Sequence, residues 1–203
     1  MKSSTRTWLG VALFVPLAAV LLATFACLPA PVGDPETSKV DESLVGAWQA
    51  AQKDPSDEVI TAVMQPWDAK TYYLSYYSLK KKDGAEEKSM MHFKAWVTTL
   101  GTATFLTAQP LDDMSFAVGE KNDKPFWVVM RLDKTDKGLD MRLLSPDNEL
   151  LKEKTTREQI EATIKANLDK KELYGDTIPF RKLGKEDKGM LDTLMEKFGV
   201  GKV

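Results

Sequence analysis

The chain holds one histidine, His92, and one cysteine, Cys27, and these two residues bound what chemistry it can do. A Ser-His-Asp arrangement needs a histidine as its base, so any such set must use His92. Ser89 and Ser115 are candidate nucleophiles, but neither stands in a Gly-x-Ser-x-Gly turn. A zinc site would have only His92 and carboxylates, a poor donor set. Carboxylates cluster at Asp112 and Asp113, at Asp133 and Asp136, and at Glu120 with Asp123. The spacing from Asp133 through Asp136 to Gly138 superficially suggests a calcium loop. Thr135 and Lys137 stand where ligands would be needed, and a lysine repels the ion, so this stretch is read as a hairpin turn. There is no glycine-rich phosphate loop, since Gly199 and Gly201 follow the last predicted helix rather than precede one. No cofactor and no metal is expected, and the chain is read as non-enzymatic, with a hydrolase using His92 as the alternative.

A second group of residues points to recognition. The segment 71–79 places Tyr72 and Tyr76 on one face of a strand and Tyr73 and Tyr77 on the other. Trp96 and Trp127 likewise fall opposite the apolar sets of their own strands. Trp67, Tyr73, Tyr77, Trp96 and Trp127 are therefore the candidate binding surface, because aromatic rings with polar tips suit contact with an apolar small ligand or a protein partner. The competing expectation is that two amphipathic helices cover this second face and make it core. His92 alternates with Met90, Lys94 and Trp96 on the same outward set, which makes it a surface or rim residue.

These residues are carried by a simple succession of elements. Residues 7–33 hold no charge and follow Lys2 and Arg6. Positive charge, then an apolar run, then small residues is the pattern of an export signal. The run is also long enough to span a bilayer as a helix. Segment 29–43, with its prolines and small polar residues, reads as a flexible tether. The organisation expected is a signal or anchor over 1–28, that tether, and one domain over 44–203. Within the domain, strands are predicted at 59–65, 71–79, 90–98, 102–108, 115–118, 126–133 and 139–144, joined by short turns as in an antiparallel meander. A capping box at Thr155 and Glu158 opens a helix with Ile160, Ile164 and Leu168 in one stripe. Segment 176–183 is β-like, and Pro179 would confine it to a sheet edge. A last helix over 186–198 shows Met190, Leu191, Leu194, Met195 and Phe198 on one side, with Gly199 as its stop. The fold class is α+β and β-rich: a meander or small barrel with two C-terminal helices packed on it.

The net charge is −2 over 203 residues, and the lysines are dispersed. A nucleic-acid partner would want a concentrated basic face, so none is expected. With one cysteine there is no internal disulfide, and the domain must be held by its core.

Two stretches resemble known families. Ala26-Cys27 at the end of the apolar run resembles a bacterial lipoprotein signal, although Thr24 and Phe25 stand where a leucine and a small residue are usual. The resemblance implies that Cys27 is lipidated and becomes the first mature residue. It also implies placement in the bacterial envelope with the domain on the periplasmic side, Leu28 favouring the outer membrane. Cleavage after Ala26 without lipidation, and retention as a single-pass anchor, stay open. Gly46-Ala47-Trp48 resembles the Gly-x-Trp start of a lipocalin-like barrel, in which the tryptophan plugs one end.

Overall fold

The computed structural model describes residues 27–51, 58–82, 85–111, 126–145 and 148–200. Its centre is an eight-stranded antiparallel barrel. The strands are β2 (Gly46–Ala50), β3 (Glu58–Pro66), β4 (Tyr72–Lys82), β5 (Ala85–Leu100), β6 (Ala103–Pro110), β7 (Trp127–Thr135), β8 (Gly138–Leu144) and β9 (Tyr174–Lys182). Each pairs with the next in sequence, and β9 closes on β2 through Trp48 opposite Lys182 and Ala50 opposite Phe180. Closure leaves no free edge among these eight. A two-residue strand, β1 (Cys27–Leu28), pairs with the start of β7, Cys27 opposite Val128 and Leu28 opposite Trp127.

Period-two alternation sorts the side chains. Ile60, Ala62, Met64, Tyr72, Leu74, Met91, Phe93, Ala95, Leu106, Ala108, Val128, Leu132, Leu139, Met141 and Phe180 fill the inside. Most of the opposite set is also covered, which is why the tyrosines and tryptophans fall on both faces. Helix α1 (Arg157–Ala166), in the excursion between β8 and β9, sets Ile160 and Ile164 against Phe105, Val129 and Leu144 on the outer wall. Helix α2 (Lys188–Lys197), after β9, sets Leu194 and Met195 against Val63 and Tyr77.

Three expectations are corrected. Segment 29–43 is not a free tether. Leu28, Val32 and Ser38 are buried, and the segment runs as a strap over β5 and β6 to a short 3-10 turn at Glu42–Leu44. The Trp96 Nε1 donates to the Val32 carbonyl at 2.9 Å, and Thr107 Oγ1 donates to the same oxygen at 2.7 Å. The strap passes so close to β5 that a Cβ on Gly33 would collide with Thr98 Oγ1. Gly33 also takes φ 73°, which glycine alone adopts freely. Composition suggested a tether because prolines and small residues also suit a chain laid flat on a wall. Second, β9 is not an edge strand. Pro179 is tolerated because the missing N–H faces the carbonyl of Ala51, which lies just past the end of β2 and is exposed to water, while the Pro179 carbonyl still accepts from Ala51 N–H. Third, the capping box is one residue later: Thr156 Oγ1 accepts from Gln159 N–H, and the Gln159 side chain accepts from Thr156 N–H. The expected strand at 115–118 lies outside the described residues, as do Ser115 and the carboxylates at 112, 113, 120 and 123.

Candidate ligand cavity

The two barrel ends differ. At one, β2 enters after the turn at Glu42–Leu44, and Leu44 and Trp48 lie buried across the opening. Trp48 Nε1 donates to the Leu44 carbonyl at 2.8 Å, and Lys182 Nζ sits 5.3 Å from the Trp48 ring. Tyr72, deep inside this end, accepts at its hydroxyl from Asp41 N–H at 2.5 Å, which ties the strap to the barrel floor. Lys134 Nζ donates to Asp41 at 2.8 Å, and with Ser43 it holds the Asp41 carboxyl down at about 2. Leu44 and Trp48 thus close this end. The other end is where β2, β4, β6 and β8 finish and β3, β5, β7 and β9 begin.

Between the floor and this second end is a cavity of about 90 Å³. Its wall comes from seven strands and includes four methionines, Met64, Met91, Met130 and Met141, with Phe93 and Phe180. Two small residues, Ala62 and Ala108, leave the space open where larger side chains would fill it. Among the described residues, Tyr76 is the one lining residue with a polar side-chain group. Burial, reinforced by the charge of Glu58, pushes its hydroxyl far above the usual phenol range, so it stays a neutral donor. Nearer the second end, Ser78 on the same inner row donates to the Glu58 carboxylate. The volume exceeds what one water needs, but water wants two to four polar partners and finds one hydroxyl here. The space suits an apolar group, and methionines can shift rotamer to fit it.

The aromatic residues singled out from sequence do not form one surface. Tyr77 is buried under α2, edge-on to Phe198 at 5.1 Å. Trp96 is buried under the strap, and Trp127 is half-buried against the same outer cluster. Trp67 and Tyr73 stay on the surface, rings 5.6 Å apart, Trp67 half exposed. Tyr73 in turn stacks on His92 at 5.3 Å. So the helices and strap cover most of the second face, and an open strip of Trp67, Tyr73 and His92 remains. The cavity residues were present in the predicted inward rows, but alternation cannot say whether a row is filled solid.

His92 meets a hydroxyl that sequence did not select. Ser75 Oγ lies 3.1 Å from His92 Nδ1, because Ser75 and His92 are register partners on β4 and β5. Ser89 pairs with Ser78 and points to the other face. Ser75 is itself buried, and the pair stands on the outer wall, on the opposite side of the sheet from the cavity. Asp133 is taken up by ion pairs. It is held between Arg131 at 3.0 Å and Arg142 at 2.5 Å, both of which also lie over the Tyr174 ring. Arg131 Nη1 and the Tyr174 hydroxyl both donate to the Leu168 carbonyl, so this cluster anchors the end of the α1 excursion. Among the described residues no group of three or more metal-ligating side chains converges. Comparison with family models, with curated proteins and with solved structures finds no match for this chain, so its functional interpretation rests on its own geometry.

Proposed function

We propose that the chain is a non-enzymatic binding protein of the bacterial envelope whose barrel holds a small apolar molecule or the apolar end of a larger one. The observation that carries this is the cavity of about 90 Å³ in an otherwise well-filled barrel, lined by apolar side chains and one neutral hydroxyl. A void of this size costs stability unless something occupies it, about 24 cal/mol per Å³. The Glu58 carboxylate near the second end disfavours a ligand with an anionic head and favours a hydroxyl or amine. Placement in the envelope is supported by the uncharged run over 7–33 behind Lys2 and Arg6. The test is a titration with N-phenyl-1-naphthylamine, a neutral apolar fluorophore, followed by displacement with straight-chain alcohols, amines and carboxylic acids of equal length. Saturable enhancement, reversed by alcohol or amine more readily than by acid, is the expected result. Absence of saturable enhancement, together with no displacement by any alkyl series, would remove the basis for ligand binding.

A further inference from the structure

We propose that the outer wall between α2 and the strap is a second ligand site, and that it takes an extended oligosaccharide. It lies on the opposite side of the sheet from the cavity and does not depend on it. Register builds the site. Gln65 on β3 stands opposite Tyr73 on β4, Tyr73 opposite Lys94 on β5, and Lys94 opposite Gln109 on β6. Partners in register share a face, so these side chains form one straight row across the strands on the outside. Cover stops on either side of the row. Val63, on the same face of β3 as Gln65, is buried against α2. Trp96 and Thr107, next to Lys94 and Gln109 on that face, are buried under the strap and donate to the Val32 carbonyl. Between these covers Gln65 and Gln109 are exposed, and Tyr73 and Lys94 are half-buried.

Trp67 gives the row its platform. It is 50% exposed, with its ring 5.6 Å from Tyr73 and tilted by 47°. Its backbone is fixed in the turn after β3. Trp67 N–H donates to the Thr71 carbonyl at 2.9 Å, and Asp68 Oδ1 accepts from the Lys70 and Thr71 amides at 2.7 Å each. A tryptophan held in this way loses little freedom when a ligand lands on it. The face of an indole is electron-rich and attracts C–H groups such as those on one side of a sugar ring. Glutamine amides and a phenol both donate and accept, as sugar hydroxyls do, and the lysine adds donors. The row crosses from β3 to β6, about 14 Å, which suits sugar rings laid end to end. Along the strands the wall is open over about four residues, or roughly 13 Å. The open area is thus on the order of 200 Å², whereas a stable protein interface takes about 800 Å² from each partner. It is too small for a protein partner and too open to dehydrate a wholly apolar ligand.

The experiment uses the full chain in octaethylene glycol monododecyl ether, a detergent without a sugar head. It is titrated with cellohexaose, N-acetylchitohexaose and maltohexaose, followed by isothermal calorimetry and by tryptophan emission. The expected result is saturable binding of at least one of the two extended β-linked chains, tighter than that of the coiled maltohexaose. W67A should weaken this binding at least about tenfold, as for a central contact residue, and Q65A and Q109A should weaken it by less. Each variant should unfold close to the parent's urea midpoint and should bind N-phenyl-1-naphthylamine as the parent does, which separates this site from the cavity. Binding of neither β-linked chain, or binding that W67A leaves unchanged, overturns the proposal. Self-association of the parent that W67A abolishes, without any saccharide binding, also overturns it and makes the wall an interface between copies of the chain.

Discussion

Filling the cavity should stabilise the protein and abolish ligand binding together. Ala108 is buried and lines the cavity from β6. Ala108→Leu adds three carbon atoms there. At about 0.8 kcal/mol per buried carbon, their transfer from water is worth about 2 kcal/mol. The void itself, about 90 Å³ at 24 cal/mol per Å³, costs a similar amount, about 2 kcal/mol. These are two views of one effect and are not summed. Had the site been filled already, the same substitution would cost about 1–3 kcal/mol through overpacking. The sign of the change therefore decides the matter. Urea unfolding followed by the tryptophan signal should show the midpoint rise by the equivalent of about 1–2 kcal/mol, after allowance for imperfect fit, and the melting temperature by about 2–8 °C. N-phenyl-1-naphthylamine binding should vanish in the same variant. A variant destabilised by 1 kcal/mol or more that still binds the probe as the parent does would refute the account of this space as the ligand site. The companion Ala62→Leu, from β3 on another part of the wall, guards against a local clash at one position.

Other outcomes follow from the strap, the floor and the outer wall. Leu28→Ala should cost about 2–5 kcal/mol by thermal or urea unfolding, as for a core leucine, whereas a residue in a free tether would cost nothing. Trp96→Phe removes the donor to the Val32 carbonyl and should cost about 1–2 kcal/mol, while Trp67→Ala on the open strip should stay within about 0.5 kcal/mol. Asp41 has a folded pKa of about 2 against an ordinary 3.8, so it binds its proton less readily when folded; its stabilisation is present above about pH 4 and is lost as pH falls toward 2. Because its side chain is 41% exposed, screening keeps this below about 1 kcal/mol, and Asp41→Asn should flatten the urea midpoint between pH 4 and 2 without moving it at pH 7 by more than that. Gly138→Ala should destabilise by more than about 1 kcal/mol, since φ is 152° and the new Cβ would meet the Phe180 carbonyl oxygen; circular dichroism melts check it.

Much of the barrel could be read along the chain because strand and turn signals are local. Met91, Phe93, Ala95 and Val97 alternate against His92, Lys94 and Trp96 by period two, and the inward row is where period two put it. The stripe of Leu194 and Met195 on α2 reads the same way from period 3.6. The site was legible only as a row of apolar residues. Tyr76, Met64 and Ala108 lie on different strands, far apart in sequence, and no local pattern says that their side chains stop short of one another. His92 was correctly placed on the outward row, but its neighbour Ser75 came from register, which is settled by the whole β4–β5 ladder rather than by either strand.

The amino-acid sequence by itself determined the uncharged run over 7–33, the absence of any internal disulfide, the strand succession, two amphipathic helices and the single histidine. All of these are matters of composition and short-range period. Tertiary structure alone decided that β9 meets β2 to remove the edges, since closure depends on the summed tilt and register of eight strands. It decided which aromatics are covered, because cover comes from α1, α2 and the strap, each distant in sequence from what it shields. It also turned segment 29–43 from a tether into part of the wall. The reason is that two hydrogen bonds to the Val32 carbonyl and the burial of Leu28 and Val32 outweigh the freedom that proline-rich composition suggested.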